Sequence, residues 1–84
     1  MKTENGIQAY PLSLAADGEW VRIVNVASGK NLIKRLAIMG MIDGISIQML
    51  QHKTNSGVVI LCGETRLALG HGMAHKIMVE PIQH

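Results

Sequence analysis

With 84 residues, 48% of them hydrophobic but none of them Phe, the chain makes one domain whose core must be built from Val, Ile, Leu, Ala and Met. The formal net charge of +2 comes from eight Lys and Arg residues that are spread along the sequence rather than clustered, which excludes a nucleic-acid footprint. The single Cys62 rules out an internal disulfide, and the longest apolar-plus-glycine run, Leu36 to Ile42, is far short of the roughly 20 residues that span a bilayer.

Residues 1–10 carry no period and are expected to form a flexible tail, leaving 11–84 as the folded domain. The start, Met1-Lys2-Thr3-Glu4-Asn5-Gly6, lacks the apolar core of a signal peptide, so a cytoplasmic location is expected. Pro11 to Gly18 reads as a tethered segment closed by an Asp17-Gly18 turn, with Leu12 and Leu14 plugging the core. Trp20 to Val26 is rich in β-branched residues, and its alternation changes phase between Val21/Ile23 and Val24/Val26, which predicts a bulged first strand. Ser28 to Asn31 marks a loop with Asn31 as a candidate N-cap, followed by a helix over Leu32 to Met39. On a helical projection Leu32, Leu36 and Met39 share one face, Ile33 and Ala37 flank it, and Lys34 with Ile38 points away.

Gly40 is suited to the left-handed conformation that ends a helix, and Asp43-Gly44 supplies a turn into a second strand, Ile45 to about His52, that alternates Ile45, Ile47 and Met49 with polar residues. Thr54-Asn55-Ser56-Gly57 is the next turn. Val58 to Cys62, an unbroken apolar run, is expected to be a strand covered on both sides, with Cys62 buried as a small hydrophobe. Gly63-Glu64 turns into a fourth strand, Thr65 to Leu69. Gly70 to His75 is too short for a full α-helix and reads as one helical or 3₁₀ turn before a last strand, Ile77 to Glu80. These elements predict a mainly β fold, a small antiparallel barrel of about five strands with one inserted helix and one short helical turn. A period of 20 to 50 residues is absent, so no repeat architecture is expected.

Chemistry is sparse. The serines lack a recognisable base motif and the acids lie scattered at turns and strand ends, so no active site is expected; Gly70-His71-Gly72 has the wrong surroundings for a phosphate loop. His71 and His75, spaced i, i+4, are the only candidates for a weakly bound divalent ion. Two ligands are too few, and His52, His84, Cys62 or a second molecule would have to complete the set, so no cofactor is expected. More apolar groups crowd the helix-to-strand corner than one helical face can bury. Arg35, Ile38, Met39, Met41 and Ile42 therefore form the expected partner-binding surface, an apolar centre with a cationic rim, and Ile38 is its best exposed anchor.

The motif Arg35-Leu36-x-x-Met39-Gly40-Met41, Gly44 before the second strand, and Arg66-Leu67-Ala68-Leu69-Gly70 followed by Met73-Ala74-x-Lys76-Ile77-x-Val79 resemble the FeoA family of ferrous-iron transport accessory proteins. The resemblance runs from about Leu12 to Val79. It implies an SH3-like β-barrel, similar to the C-terminal domain of iron-dependent repressors, acting in the cytosol with the FeoB permease that carries Fe²⁺ across the inner membrane. The chain departs from the family pattern at Asp43, where Pro is common, and at Gly72 and Met73, where many members carry an acidic residue. The functions in view are thus docking on the cytosolic part of the permease to support or regulate transport, and, as the alternative, a small Fe²⁺ or Zn²⁺ chaperone or sensor using His71 and His75. Neither nucleic acid nor direct membrane insertion is expected, and a homo-oligomer is left open.

Overall fold

The computed structural model describes residues 9–27, 29–53 and 56–82. Strand β1 (Tyr10–Pro11) runs into a 3₁₀ turn (Leu12–Leu14); β2 (Trp20–Val26), helix α1 (Lys30–Ile38), β3 (Ser46–Lys53), β4 (Gly57–Cys62), β5 (Thr65–Leu69), helix α2 (His71–Lys76) and β6 (Ile77–Pro81) follow. The six strands form one antiparallel sheet in the order β1-β6-β2-β3-β4-β5. α2 packs on β1 and β6 near one edge of that order, on β4 near the other, and on the 3₁₀ turn. The sheet is therefore curled on itself, with α2 across the opening, as a small barrel requires.

Alternation explains most of the packing. Val21 and Ile23 of β2, Ile47 and Met49 of β3, Val58 and Ile60 of β4, and Ile77 and Val79 of β6 all point into one core. The phase change read in the first strand is a real bulge: the β2–β6 register shifts between Ile23 and Asn25, and a second irregularity lies in β3–β4 between Met49 and Gln51. Leu12 is buried and Leu36 of α1 closes the other side of the core.

Several expectations are corrected. The strand count is six because Tyr10, expected in the tail, pairs with Val79, and Pro11 pairs with Met78. Leu14 does not plug the core but is 68% exposed, since the 3₁₀ turn sends only Leu12 and Ser13 inward. The N-cap of α1 is Gly29, with no side-chain cap, and Asn31 lies within the helix. β4 is buried on one face only; Val59 and Leu61 on its other face are half-covered. The segment after β5 is a six-residue α-helix, because tertiary packing of buried Ala74 outweighs the cost of Gly72. Residues 1–8 of the expected tail, Ser28 of the loop before α1, and Thr54 and Asn55 of the turn before β4 lie outside the described residues, as does His84.

Candidate interaction surface

The corner after α1 is built by hydrogen bonds that decide which of its apolar side chains stay outside. Gly40 has a φ of 87°, its N–H donates to the Ala37 carbonyl at 3.0 Å, and the Met41 N–H donates to the Leu36 carbonyl at 2.9 Å. This pair of bonds is a Schellman motif, in which the residue after the left-handed glycine folds back onto the last helical turn. Met41 thereby joins Leu36 in the core and is 1% exposed. The next turn is tied to β2: Gly44 N–H donates to the Ile23 carbonyl at 2.7 Å, and Ile23 N–H to the Ile45 carbonyl at 3.0 Å.

The expected partner-binding set is thus divided. Ile38 and Ile42 are out in solvent, 86% and 53% exposed. Met39 is half-buried against the core. Met41 is corrected from surface to core, because the Schellman bonds draw it inward. Arg35 is exposed but lies on the opposite flank of α1 from Ile33 and Ala37. A groove of about 420 Å³ runs along that Ile33 flank, lined by Asn25, Val26, Ile33, Ala37, Met41, Ile42 and Asp43. Its floor is Met41 and its wall is Ile33, 46% exposed. Val26, Ile33 and Ala37 lie outside the expected partner-binding set. The signals were present: Ile33 and Ala37 flank the buried stripe on the helical projection, and Val26 lies beyond the bulge that changes the facing of β2.

A second, larger groove of about 700 Å³ lies on the Arg35 flank, between α1 and α2. Lys30, Leu32 and Arg35 line it from α1, and Gly72, Met73 and Lys76 from α2. The fold thus gathers three cations that the sequence scatters over more than forty positions, which corrects the expectation of unclustered charge.

The histidines divide as well. His52 places Nδ1 2.7 Å from Asp17 Oδ1 and Nε2 3.0 Å from the Ser13 carbonyl. Both partners only accept, so a ring satisfying both donates from both nitrogens and is an imidazolium. The hydrogen bond to Asp17 raises the His52 pKa, partial burial opposes it, and the Ser13 carbonyl adds to the rise. His75 of α2 has Nδ1 3.3 Å from the Ser13 hydroxyl. Among the described residues no carboxylate bonds the His75 ring, so that pair is without the third group that orients the base in a serine triad. Of the residues named as further metal ligands, Cys62 is buried with its thiol 3.8 Å from the Gly40 carbonyl. Among the described residues no group of three or more His, Cys, Asp or Glu could hold a metal ion. Tyr10 donates from its hydroxyl to Glu19 Oε2 at 2.7 Å, and burial together with that carboxylate pushes its pKa up to about 12.

The sequence profile of the FeoA domain matches residues 10–81, which includes β1 and the whole sheet. The chain belongs to the FeoA family. Among its relatives is a protein of Methanocaldococcus jannaschii named "Putative Fe(2+) transport protein A", 33% identical over 75 residues that cover 89% of this chain and 90% of the relative. A crystal structure described as an iron uptake regulatory protein, FeoA, is 31% identical and superposes with a TM-score of 0.79, covering 89% of this chain and 99% of the other. A manganese-dependent transcriptional repressor superposes with a TM-score of 0.82 at 15% identity, over 92% of this chain but 44% of the repressor, and shares the fold alone. The FeoA boundary also agrees with the pairing of Tyr10 to Val79. The expected SH3-like, mainly β architecture holds. No helix among the described residues of this FeoA domain is long and apolar enough to cross a membrane.

Proposed function

We propose that this FeoA-family chain is a cytosolic accessory protein of ferrous-iron uptake that docks the corner after α1 onto the cytosolic part of a FeoB-type permease and thereby supports or regulates Fe²⁺ transport. The observation that carries the reading is Ile38, which lies 86% exposed on the outer side of α1 with Ile42 beyond it at 53%. A side chain of that size gains about 1.5–3 kcal/mol when fully covered, which a partner seated on the corner would supply. The groove floored by Met41 and walled by Ile33 lies on the adjoining flank and would receive a partner's apolar side chain. The relationship to a protein named for Fe²⁺ transport supplies the cargo of the system. For the chaperone or sensor alternative, His71 and His75 stand exposed on α2, and among the described residues they gain no third ligand, since His52 is held by Asp17 and Ser13 and Cys62 is buried.

The test is co-purification of tagged parent and Ile38→Glu chains with the permease's cytosolic domain, with circular dichroism to show that both are folded. Loss of capture by at least about tenfold is expected from burying one large aliphatic residue. Undiminished capture of a folded Ile38→Glu chain removes the corner as the docking surface.

A further inference from the structure

The groove between α1 and α2 has a different chemistry from the Ile38 corner. Its cations, Lys30, Arg35 and Lys76, face a space of about 700 Å³ whose lining contains no Asp or Glu. Neither helix bears an acid: α1 reads Lys-Asn-Leu-Ile-Lys-Arg-Leu-Ala-Ile and α2 reads His-Gly-Met-Ala-His-Lys. Three of the described acids are committed elsewhere, and the other two, Asp43 and Glu64, lie in turns and do not line the groove. Glu80 pairs with Arg22 at 3.1 Å, Asp17 with His52, and Glu19 accepts from the Tyr10 hydroxyl and the Ala16 N–H. Among the described residues none of the three groove cations takes part in an ion pair. A near-neutral chain has therefore kept one uncompensated positive groove, in which like charges repel unless an anion enters.

The remaining lining says what kind of anion. Leu32 and Met73 are half-buried and apolar, and Gly29 and Gly72 leave open space where a side chain would stand. A bare small anion would use none of that apolar wall. Nucleic acid would want stacking aromatics, and the chain's two, Tyr10 and Trp20, lie on β1 and β2 outside the groove. We propose that the α1–α2 groove binds an acidic, partly apolar peptide segment of a partner protein, its carboxylates meeting Lys30, Arg35 and Lys76 and an aliphatic side chain lying on Leu32 and Met73. The guanidinium of Arg35 can take a carboxylate on two parallel N–H bonds, which orients the segment, while Met73 adapts to the side chain beside it. This inference does not depend on the permease reading, because Ile38 lines neither groove.

The probe is a short fluorescein-labelled peptide alternating Glu and Leu, titrated into the full chain with polarisation as the affinity readout and amide chemical shifts as the map. Saturable binding is expected, with the largest shifts at Gly29, Lys30, Asn31 and Gly72 and with affinity that falls as salt is added. The charge-neutral double variant Lys30→Gln/Lys76→Gln should bind about fivefold to tenfold more weakly, as expected from two exposed charge contacts. Arg35→Gln gives an independent second variant if the first is poorly folded. Ile38→Gln, which removes the apolar anchor without setting a carboxylate one turn from Arg35, should bind the peptide as the parent does while losing permease capture, so the two losses are separable. Absence of binding, undiminished binding by the folded variants, shifts centred on Ile38 and Ile42, or tighter binding of a labelled single-stranded oligonucleotide than of the peptide would each overturn the proposal.

Discussion

Gly57 opens β4 with a φ of 115°, opposite Lys53 of β3, and a Cβ built on it would run into the Leu69 carbonyl oxygen and come within 3.0 Å of the Gly70 backbone. Gly57→Ala therefore meets two separate penalties. Holding a side-chain-bearing residue in that backbone conformation costs about 1–3 kcal/mol. Relieving the collision means moving backbone, not a flexible side chain, which adds about 1–3 kcal/mol of the kind seen on overpacking. Together they amount to about 2–6 kcal/mol, against a total that for a chain of 84 residues lies at roughly 4–13 kcal/mol. The internal control is Gly72→Ala: this glycine is in α2, and a Cβ there meets nothing within 4 Å. Restricting the unfolded chain should make that variant more stable by about 0.5–1 kcal/mol. Urea unfolding followed by circular dichroism measures both. The expected result is a Gly57→Ala midpoint lower by about 2 M or more, or a chain that does not fold, beside a raised midpoint for Gly72→Ala. A Gly57→Ala midpoint equal to the parent's would refute the claim that the β4–β5 junction requires a bare backbone.

The other predictions concern the corner and the histidine bridge. Met41→Ala should lose about 2–5 kcal/mol and Met41→Leu less than about 1.5, because the side chain is fully buried beside Leu36; a Met41→Glu chain should fail to fold, and a folded one would put Met41 back on the surface. Cys62, buried near Gly40, should react with a thiol reagent only as fast as the domain opens, so labelling in native buffer as fast as in urea would contradict its placement. The His52 bridge has a definite pH sign. Its folded pKa is raised above the unfolded value, so its stabilisation is complete below about pH 6.5 and is lost as the pH rises through the folded value. Both partners are well exposed, so the effect is under about 1 kcal/mol. Urea midpoints of parent and His52→Gln chains should differ at about pH 5.5 and converge at about pH 8.5; a constant difference would mean that the charge on the ring is not involved.

The strands and the helix-ending glycine were legible because each rests on local chemistry: alternating Ile47 and Met49, the phase change after Ile23, and a glycine where the chain turns left-handed directly after a helix. What was hidden depends on partners distant in sequence. Leu14 and Leu12 look equivalent until the 3₁₀ turn separates their directions. Tyr10 looks like tail because its pairing partner, Val79, is at the far end of the chain. The His52 bridge joins a strand to a loop 35 positions earlier and leaves no pattern in either. The candidate surface was half legible: Ile38 follows from helical geometry and Ile42 from the crowding of apolar residues at the corner, whereas Met41 is withdrawn by backbone hydrogen bonds and Arg35 turns toward a groove whose other wall, α2, begins at His71.

Both grooves exist because α1 is attached by a narrow stripe. Leu36 is the helix's fully buried residue, with Leu32 and Met39 partly packed beside it, so the Ile33 flank and the Arg35 flank both stay open. A helix of nine residues would be marginal by itself and owes its place to that stripe and to the Schellman bonds that follow it. Gly40 is then the position through which both surfaces are held. In Gly40→Ala the added Cβ would meet only Cys62 Sγ, at an ordinary 3.8 Å, so the penalty is conformational and about 1–2 kcal/mol. Because the Gly40 and Met41 N–H groups close the helix, the cost should fall locally, and their amide exchange should speed up more than that of β3 or β4. If the two surfaces depend on this corner, Gly40→Ala weakens permease capture and acidic-peptide binding together, which neither Ile38→Gln nor Lys30→Gln/Lys76→Gln does. Faster exchange at the corner with both affinities unchanged would show that α1 keeps its position without the Schellman closure.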